Sequence, residues 1–529
     1  MLLLPGLGLG LMPLSSAAQA AQSGLPVSSM GTSAATATTI TGQVVNAVTG
    51  APVFRALVQI DSSSQLSDHE GRFSLSLTSA SSPTIRINKP GYYATPEGDP
   101  NLSLNLPANQ SGPVTARLYP ESLLTGTLTS TDGTPLQDVM VTPERSVYSE
   151  AGHQWSPMPP RQTNSHGEFR LAVPAGDYRV QVGVGRRLPF GGQMAIPQIY
   201  PPSSSTENSG FIHLASGTEE RLNLRVEVSA LYPIPVRIEP GLEDGFASIT
   251  AITETGARIP ANSAPGPSGA PMSIELPRGS FTLIAPRNRG DQAEYAEARV
   301  DVSGPTSAPV ILRLAPVPAI PVVVNVDHTT STSDNAPTLQ QLALSLSPSS
   351  TPGFGGGRGF SPGNLFVRDN NTSLRPLPGA YHLLSQTRGA WHIQSATYGA
   401  NDLLQHDLVV ALGSGSAPIV VTVSDQSGSL TGTVSLQGAP QSVWVYLVPN
   451  FPSAIPFYSI RSSPAGVFAF NNLPPGSYQA LAFELHRQVD FRSSSVLSPY
   501  STYIHSVTIA AGDKASLELE AVPASEIQP

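Results

Sequence analysis

Few residues of this chain are equipped for chemistry, and the first to weigh is Asp68-His69-Glu70, three metal ligands in succession. Consecutive side chains in a turn point apart, and the same slot recurs as Asn164-Ser165-His166 and Ser463-Pro464-Ala465. The triplet therefore reads as a hairpin turn and not as a metal site. The ten histidines form no His-Glu-x-x-His pair, and no Gly-x-Ser-x-Gly elbow presents a serine nucleophile. Neither lysine, Lys89 or Lys514, follows the glycine run of a phosphate loop. The chain has no cysteine, which removes disulfides, thiolate zinc, haem attachment, cysteine nucleophiles and a lipid-anchoring cysteine together. No catalytic, metal-ligating or cofactor-binding residue is assigned.

Three aromatic residues remain as candidates for ligand contact. The stretch Gly353-Phe354-Gly355-Gly356-Gly357-Arg358-Gly359-Phe360 has the composition of a phosphate cradle or an RGG segment. With one arginine and no helix start after it, it reads as a loop whose Phe354 and Phe360 are free to touch a partner. Trp155 lies in His153-Gln154-Trp155-Ser156-Pro157-Met158-Pro159-Pro160, which reads as a loop without strand period. A loop tryptophan either packs on its own domain or serves as a platform for a sugar ring. By contrast Trp391 alternates with Ile393 in a core pattern, and Val443-Trp444-Val445-Tyr446-Leu447-Val448 is apolar on both faces, as in a central strand.

The elements that must hold these residues are written as a refrain. It opens on Thr41-Gly42, Thr125-Gly126 and Thr431-Gly432, continues with Gly50-Ala51-Pro52, Gly133-Thr134-Pro135 and Gly438-Ala439-Pro440, and turns on Gly71-Arg72-Phe73, Gly167-Glu168-Phe169 and Gly466-Val467-Phe468. Two copies finish on a proline-glycine-tyrosine corner, Pro174-Ala175-Gly176-Asp177-Tyr178 and Pro474-Pro475-Gly476-Ser477-Tyr478. The turn glycines are expected at positive φ, with the following phenylalanine returning to the core. A second refrain closes each unit with a glycine turn and an alternating strand, as at Gly217 before Leu222 to Val226 and Gly512 before Leu517 to Leu519. Period-two runs separated by Gly, Pro, Asn and Asp, with no sustained helical period, predict an all-β chain of tandem β-sandwich modules, transthyretin-like or immunoglobulin-like.

Composition sets the outer bounds. A length of 529 residues needs several cores. The 47 glycines and 52 prolines make up about a fifth of the chain, above ordinary usage yet short of the roughly 25–30% of disordered sequences. A net charge of −9 with 12% charged residues leaves no basic stripe, which speaks against nucleic acid as a partner. The apolar stretch Met1 to Leu14, ending in Ala18-Gln19-Ala20, predicts a signal peptide over 1–20, atypical because it lacks a positive start and is broken by Pro5. No later segment reaches the roughly 18 apolar residues of a membrane helix, so the mature chain is expected to carry no transmembrane segment. The expected order is a flexible lead over 21–39, sandwiches over 40–119 and 120–228, diverged sandwiches over 229–316 and 317–424, a sandwich over 425–523 and a tail over 524–529.

The refrain resembles the carboxypeptidase regulatory-like domain, a transthyretin-like β-sandwich found beside metallocarboxypeptidase catalytic domains and in many exported bacterial proteins. The match covers 40–119, 120–228 and 425–523 and is partial between them. Trp391-His392-Ile393-Gln394-Ser395 with Gly399-Ala400-Asn401-Asp402 also looks like the unit that commonly precedes such a domain. What the resemblance implies is a fold and a surface role, with no catalytic residue to carry over. The zinc-binding His-x-x-Glu of the metallocarboxypeptidases is absent, since no histidine here has Glu three residues on. The expectation is a non-catalytic, extracytoplasmic scaffold or binding protein whose partner is an unidentified protein or polysaccharide. The alternative is a carbohydrate-binding protein built on starch-binding-like sandwiches, for which 6% aromatic residues supply few platforms.

Overall fold

The computed structural model describes residues 38–60, 63–77, 84–105, 112–150, 152–183, 193–201, 211–240, 249–254, 256–261, 272–289, 292–317, 319–328, 337–349, 373–386, 389, 391–411 and 417–527. The signal segment, most of the lead, and the glycine-rich loop with Phe354 and Phe360 lie outside the described residues. The fold is all-β, and one arrangement, an opening strand between an antiparallel and a parallel partner, occurs five times.

In the first unit the opening strand Thr38–Asn46 lies between Arg72–Leu77, antiparallel, and Val114–Pro120, parallel. A second sheet of Ser63–Leu66, Leu57–Ile60, Thr84–Asn88 and Leu102–Asn105 faces it. The second unit sets Ser122–Ser130 between Glu168–Val173 and the parallel Glu219–Val226, and the fifth sets Gly428–Leu436 between Val467–Leu473 and the parallel Lys514–Val522. The two middle units lack the opening Thr-Gly and still follow the plan. Tyr232–Glu239 sits between Met272–Leu276 and the parallel Val310–Arg313, and Ile320–His328 between Ser373–Leu374 and the parallel Ile419–Ser424. A parallel partner needs a long crossover. In every unit that crossover is the rest of the sandwich.

The refrain residues explain why the chain folds this way. Gly71, Gly167 and Gly466 take φ of +73°, +71° and +74°. A Cβ at any of them would also collide with a carbonyl oxygen of the opening strand, that of Val44, Leu128 or Val434. In the first and second units those oxygens are already committed, that of Val44 accepting from the Val53 amide and that of Leu128 from the Leu136 amide, which closes the Gly-x-Pro segment against the strand. Two residues further on, Phe73, Phe169 and Phe468 are buried. The rings of Phe73 and Phe468 lie across Gly42 and Gly432, which is why the refrain opens on a residue without a side chain.

The tyrosine corners lock the facing sheet. Tyr178 and Tyr478 each donate from the hydroxyl to the carbonyl four residues upstream, Pro174 at 2.8 Å and Pro474 at 2.6 Å. Tyr381 does the same to Leu377 at 2.8 Å in the fourth unit. The third unit has Phe281 in the corresponding place and keeps the burial without the hydrogen bond.

Each unit has its own apolar core, for example Val44, Val58, Phe73 and Ile87 in the first and Leu283, Ile274 and Val236 in the third. In the second unit Val139, Val141, Phe169, Leu171, Tyr178 and Val180 form part of one cluster. Trp444 lies on a strand paired on both sides, and Trp391 packs half-buried against the fourth core. Met194 is carried by the second span yet packs into the third core, because Gln193–Ala195 pairs with Val228–Ala230. The fifth unit adds a second cluster, in which Tyr446, Phe483, Phe491 and Tyr500 gather under the short helical segments Ser494–Leu497 and Ser498–Tyr503, and a smaller one of Ile284, Tyr295, Val317 and Leu377 lies between the third and fourth units.

Candidate binding surface

Trp155 is not on a loop. It belongs to the strand Gly152–Pro157, which pairs with Met140–Ser149 in a hairpin at the edge of the second unit's sheet, with Trp155 opposite Ser146. The signal was present in the sequence, since His153, Trp155 and Pro157 alternate with the polar Gln154 and Ser156. The prolines at 157, 159 and 160 masked it, because they end the strand without interrupting it.

Alternation places Glu144, Ser146 and Tyr148 on one face of this hairpin. Their neighbours across the ladder build a row of rings and charges. Arg179 stands opposite Glu144, with Nε 2.5 Å from Oε2, and its guanidinium lies 4.4 Å from the centre of the Trp155 ring. The indole is half-buried, with Phe211 at 5.7 Å and His153 edge-on at 5.5 Å. His153 packs on Tyr148 at 4.6 Å and exchanges a hydrogen bond with the Ser146 hydroxyl at 3.0 Å. Burial lowers the pKa of His153, and the positive charge of Arg179 lowers it further. One side of the indole is thus taken by a cation, and the exposed apolar contribution beside it is Phe211, 49% accessible.

The opposite face of the same hairpin looks toward other sandwiches. Arg145 is buried there and donates from Nη1 to the carbonyl of Glu97 in the first unit. At the hairpin tip the Tyr148 amide donates to the Gln488 carbonyl at 3.2 Å, and Glu150 accepts from the amide and hydroxyl of Ser459 at 3.0 and 2.8 Å. The Ser385 amide of the fourth unit reaches the Ala454 carbonyl of the fifth at 3.0 Å. Nothing in the repeated motif announced these contacts. Every residue in them occurs once.

Two open grooves lie on the outer surface of the described residues. One of about 620 Å³ on the fifth unit is lined by Phe451, Phe491, Leu497, Ile504, Gln479 and Arg492. The other, about 360 Å³, is polar and lies over Thr125, Asn164, Glu168, Arg170, Glu219 and Arg221 on the outer face of the second unit. The turn Asp68-His69-Glu70 is engaged locally: the Asp68 carboxylate accepts from the Arg72 amide at 2.7 Å, and the His69 ring stacks on Phe54 at 4.0 Å. Among the described residues no group of three or more His, Asp and Glu is placed to hold a metal ion, and no helix is long and apolar enough to cross a membrane.

No protein-family model and no curated protein sequence matches the chain. Solved structures do. The Bacillus anthracis TIE protein is 10% identical over 91% of this chain and 68% of its own, with a TM-score of 0.17. BcpA, the major pilin subunit of Bacillus cereus, is 8% identical over 76% and 99%, at 0.15. The shaft pilin spaA of Lactobacillus rhamnosus GG is 9% identical over 37% and 99%, at 0.22. Matches at this level carry no function across.

Proposed function

We propose that this chain is a non-catalytic, exported scaffold of carboxypeptidase regulatory-like sandwiches that binds a protein partner through its outer faces. One observation carries the reading: the residues with chemical capacity hold turns, strands and seams together. Asp68 and Asn164 cap their own hairpin turns, His69 stacks on Phe54, and His153 bonds to Ser146. His213 pairs with Asp177 at 2.8 Å, His382 with Asp407 at 2.7 Å, and Glu144 with Arg179. A His–carboxylate pair also serves to orient a general base, but His213 with Asp177 and His382 with Asp407 line neither of the two grooves. A signal peptide over 1–20 and an extracytoplasmic location belong to the same reading.

Binding then falls to the grooves and the aromatic rim of the second and fifth units. The Trp155 ring, with Arg179 over it, suits packing within its own sheet better than stacking on a sugar. Calorimetric titration with soluble glucans, beside affinity capture from the cell-envelope fraction, tests the proposal. The expected result is no saturable glucan binding and a protein partner in the capture. Micromolar glucan binding that Trp155→Ala abolishes in a folded chain would instead establish the carbohydrate reading.

A further inference from the structure

Two of the contacts between sandwiches meet at one buried side chain, that of Glu97. In the first unit a turn closed by the Ala94 amide on the Asp99 carbonyl, at 2.6 Å, turns Glu97 inward. Its Oε1 lies 2.7 Å from Nε of Arg487, a residue of the last unit, and the two side chains are only 8% and 7% accessible. The backbone of Arg487 is fixed in turn: its amide donates to the Tyr446 hydroxyl at 2.7 Å, and its guanidinium sits 5.8 Å from the Phe483 ring. Arg145, from the hairpin of the second unit, holds the carbonyl of Glu97. Three sandwiches therefore meet at one residue, Arg487 at its carboxylate and Arg145 at its backbone carbonyl.

Arg487 borders the second apolar cluster of the last sandwich through Tyr446 and Phe483, and reaches from that border across to Glu97 of the first. The pair stabilises the seam between units that already have cores. Physically, such a pair is asymmetric: removing one partner strands a buried charge, whereas replacing both with apolar side chains of similar size is close to neutral.

We propose that Glu97 and Arg487 form a latch that closes the last sandwich onto the first, with Arg145 as its third arm, and that the chain has a closed and an opened arrangement whose balance this pair sets. Opening frees the surfaces of the first, second and fifth units that the seam covers, including the tip of the Trp155 hairpin with Tyr148 and Glu150. The latch is a property of the assembly and stands apart from the binding role proposed above.

Because the chain has no cysteine, two introduced cysteines can be spin-labelled uniquely. Thr115→Cys and Glu518→Cys lie at exposed strand positions in the first and last units. Pulsed electron resonance on the full chain reads the distance between them in four backgrounds: native, Glu97→Met, Arg487→Met and the double variant. A single narrow distribution is expected for the native pair, a longer and broader one for each single variant, and a return to the narrow one in the double variant. Circular dichroism and thermal melts follow the folding of every variant. The proposal is overturned by single variants that keep the native distance, by a broad native distribution, or by a double variant as open as the singles. It is equally overturned if a single variant unfolds the first or last sandwich, since the pair would then serve a core and not a seam.

Discussion

The turn at Gly167 and the hairpin at Trp155 belong to the same sandwich and follow opposite rules. The turn is one of three copies, with the same positive φ, the same collision awaiting a Cβ and the same buried phenylalanine two residues on. The hairpin recurs as topology, in Leu57–Ile60 with Ser63–Leu66 and in Trp444–Pro449 with Tyr458–Arg461, but the residues it uses to reach other units are not repeated. Its inner face carries Arg145 to the first unit and its tip reaches the fifth, while its outer face holds the Arg179, Trp155 and His153 row. The difference separates two layers of information: repeated residues build sandwiches, and residues that occur once arrange sandwiches against each other.

The largest way to break this comparison is Gly167→Val. A β-branched side chain at φ +71° that also meets the Leu128 carbonyl is expected to cost about 3–5 kcal/mol, combining backbone strain with overpacking. Hydrogen exchange on the full chain should show the second sandwich losing protection while the others keep theirs. Loss across all five units would mean that the sandwiches share one cooperative core.

Next come the corners. Tyr178→Phe and Tyr478→Phe leave the Pro174 and Pro474 carbonyls without their hydroxyl donors and should cost about 1–3 kcal/mol each in thermal or denaturant unfolding. The third unit runs the experiment in reverse. Phe281→Tyr offers a hydroxyl toward the Pro277 carbonyl and is expected to be neutral or stabilising; a loss as large as that of Tyr478→Phe would show that the third unit's corner has a different geometry.

Trp155→Ala removes a half-buried indole and its contact with Arg179, an expected loss of about 1–2 kcal/mol confined to the second sandwich. A loss of the full size expected for a buried core aromatic would place Trp155 with the repeated core residues after all. Acid is the gentlest perturbation. Burial lowers the folded-state pKa of His153, His392 and His486, so their contribution to stability is complete above the ordinary histidine value of about 6.5 and falls as pH drops from there through the folded values. Melting temperatures followed from pH 8 to pH 5 should decline for the second, fourth and fifth units. The third unit, which contains no histidine, provides the internal reference.

How much was legible follows the same division. The glycine turns, the phenylalanines after them and the corner tyrosines were readable because a backbone that needs a positive φ or a close approach admits few residues, and repetition singles those residues out. The middle units keep the topology without the opening Thr-Gly, and Pro378-Gly379-Ala380-Tyr381 was the surviving trace, its tyrosine bonded to Leu377 as in the other corners. The seams were not legible. Glu97 sits in Thr95-Pro96-Glu97-Gly98-Asp99, a sequence with every mark of a solvated turn, and only its neighbours from two other sandwiches make it buried. The strand of Trp155 was hidden for a different reason: Pro157, Pro159 and Pro160 close directly behind its short alternation.

The central claim is that one topology is used five times, with the opening strand in the middle of its sheet each time. Hydrogen–deuterium exchange of the unmodified full chain, resolved to peptides, tests this most directly. Amides paired on both sides exchange through the opening of the whole unit, while edge strands exchange through local fraying. The slowest amides are therefore predicted in Thr38–Asn46, Ser122–Ser130, Tyr232–Glu239, Ile320–His328 and Gly428–Leu436, one maximum in each sandwich. Maxima in the first, second and fifth units with fast exchange through Tyr232–Glu239 and Ile320–His328 would contradict it.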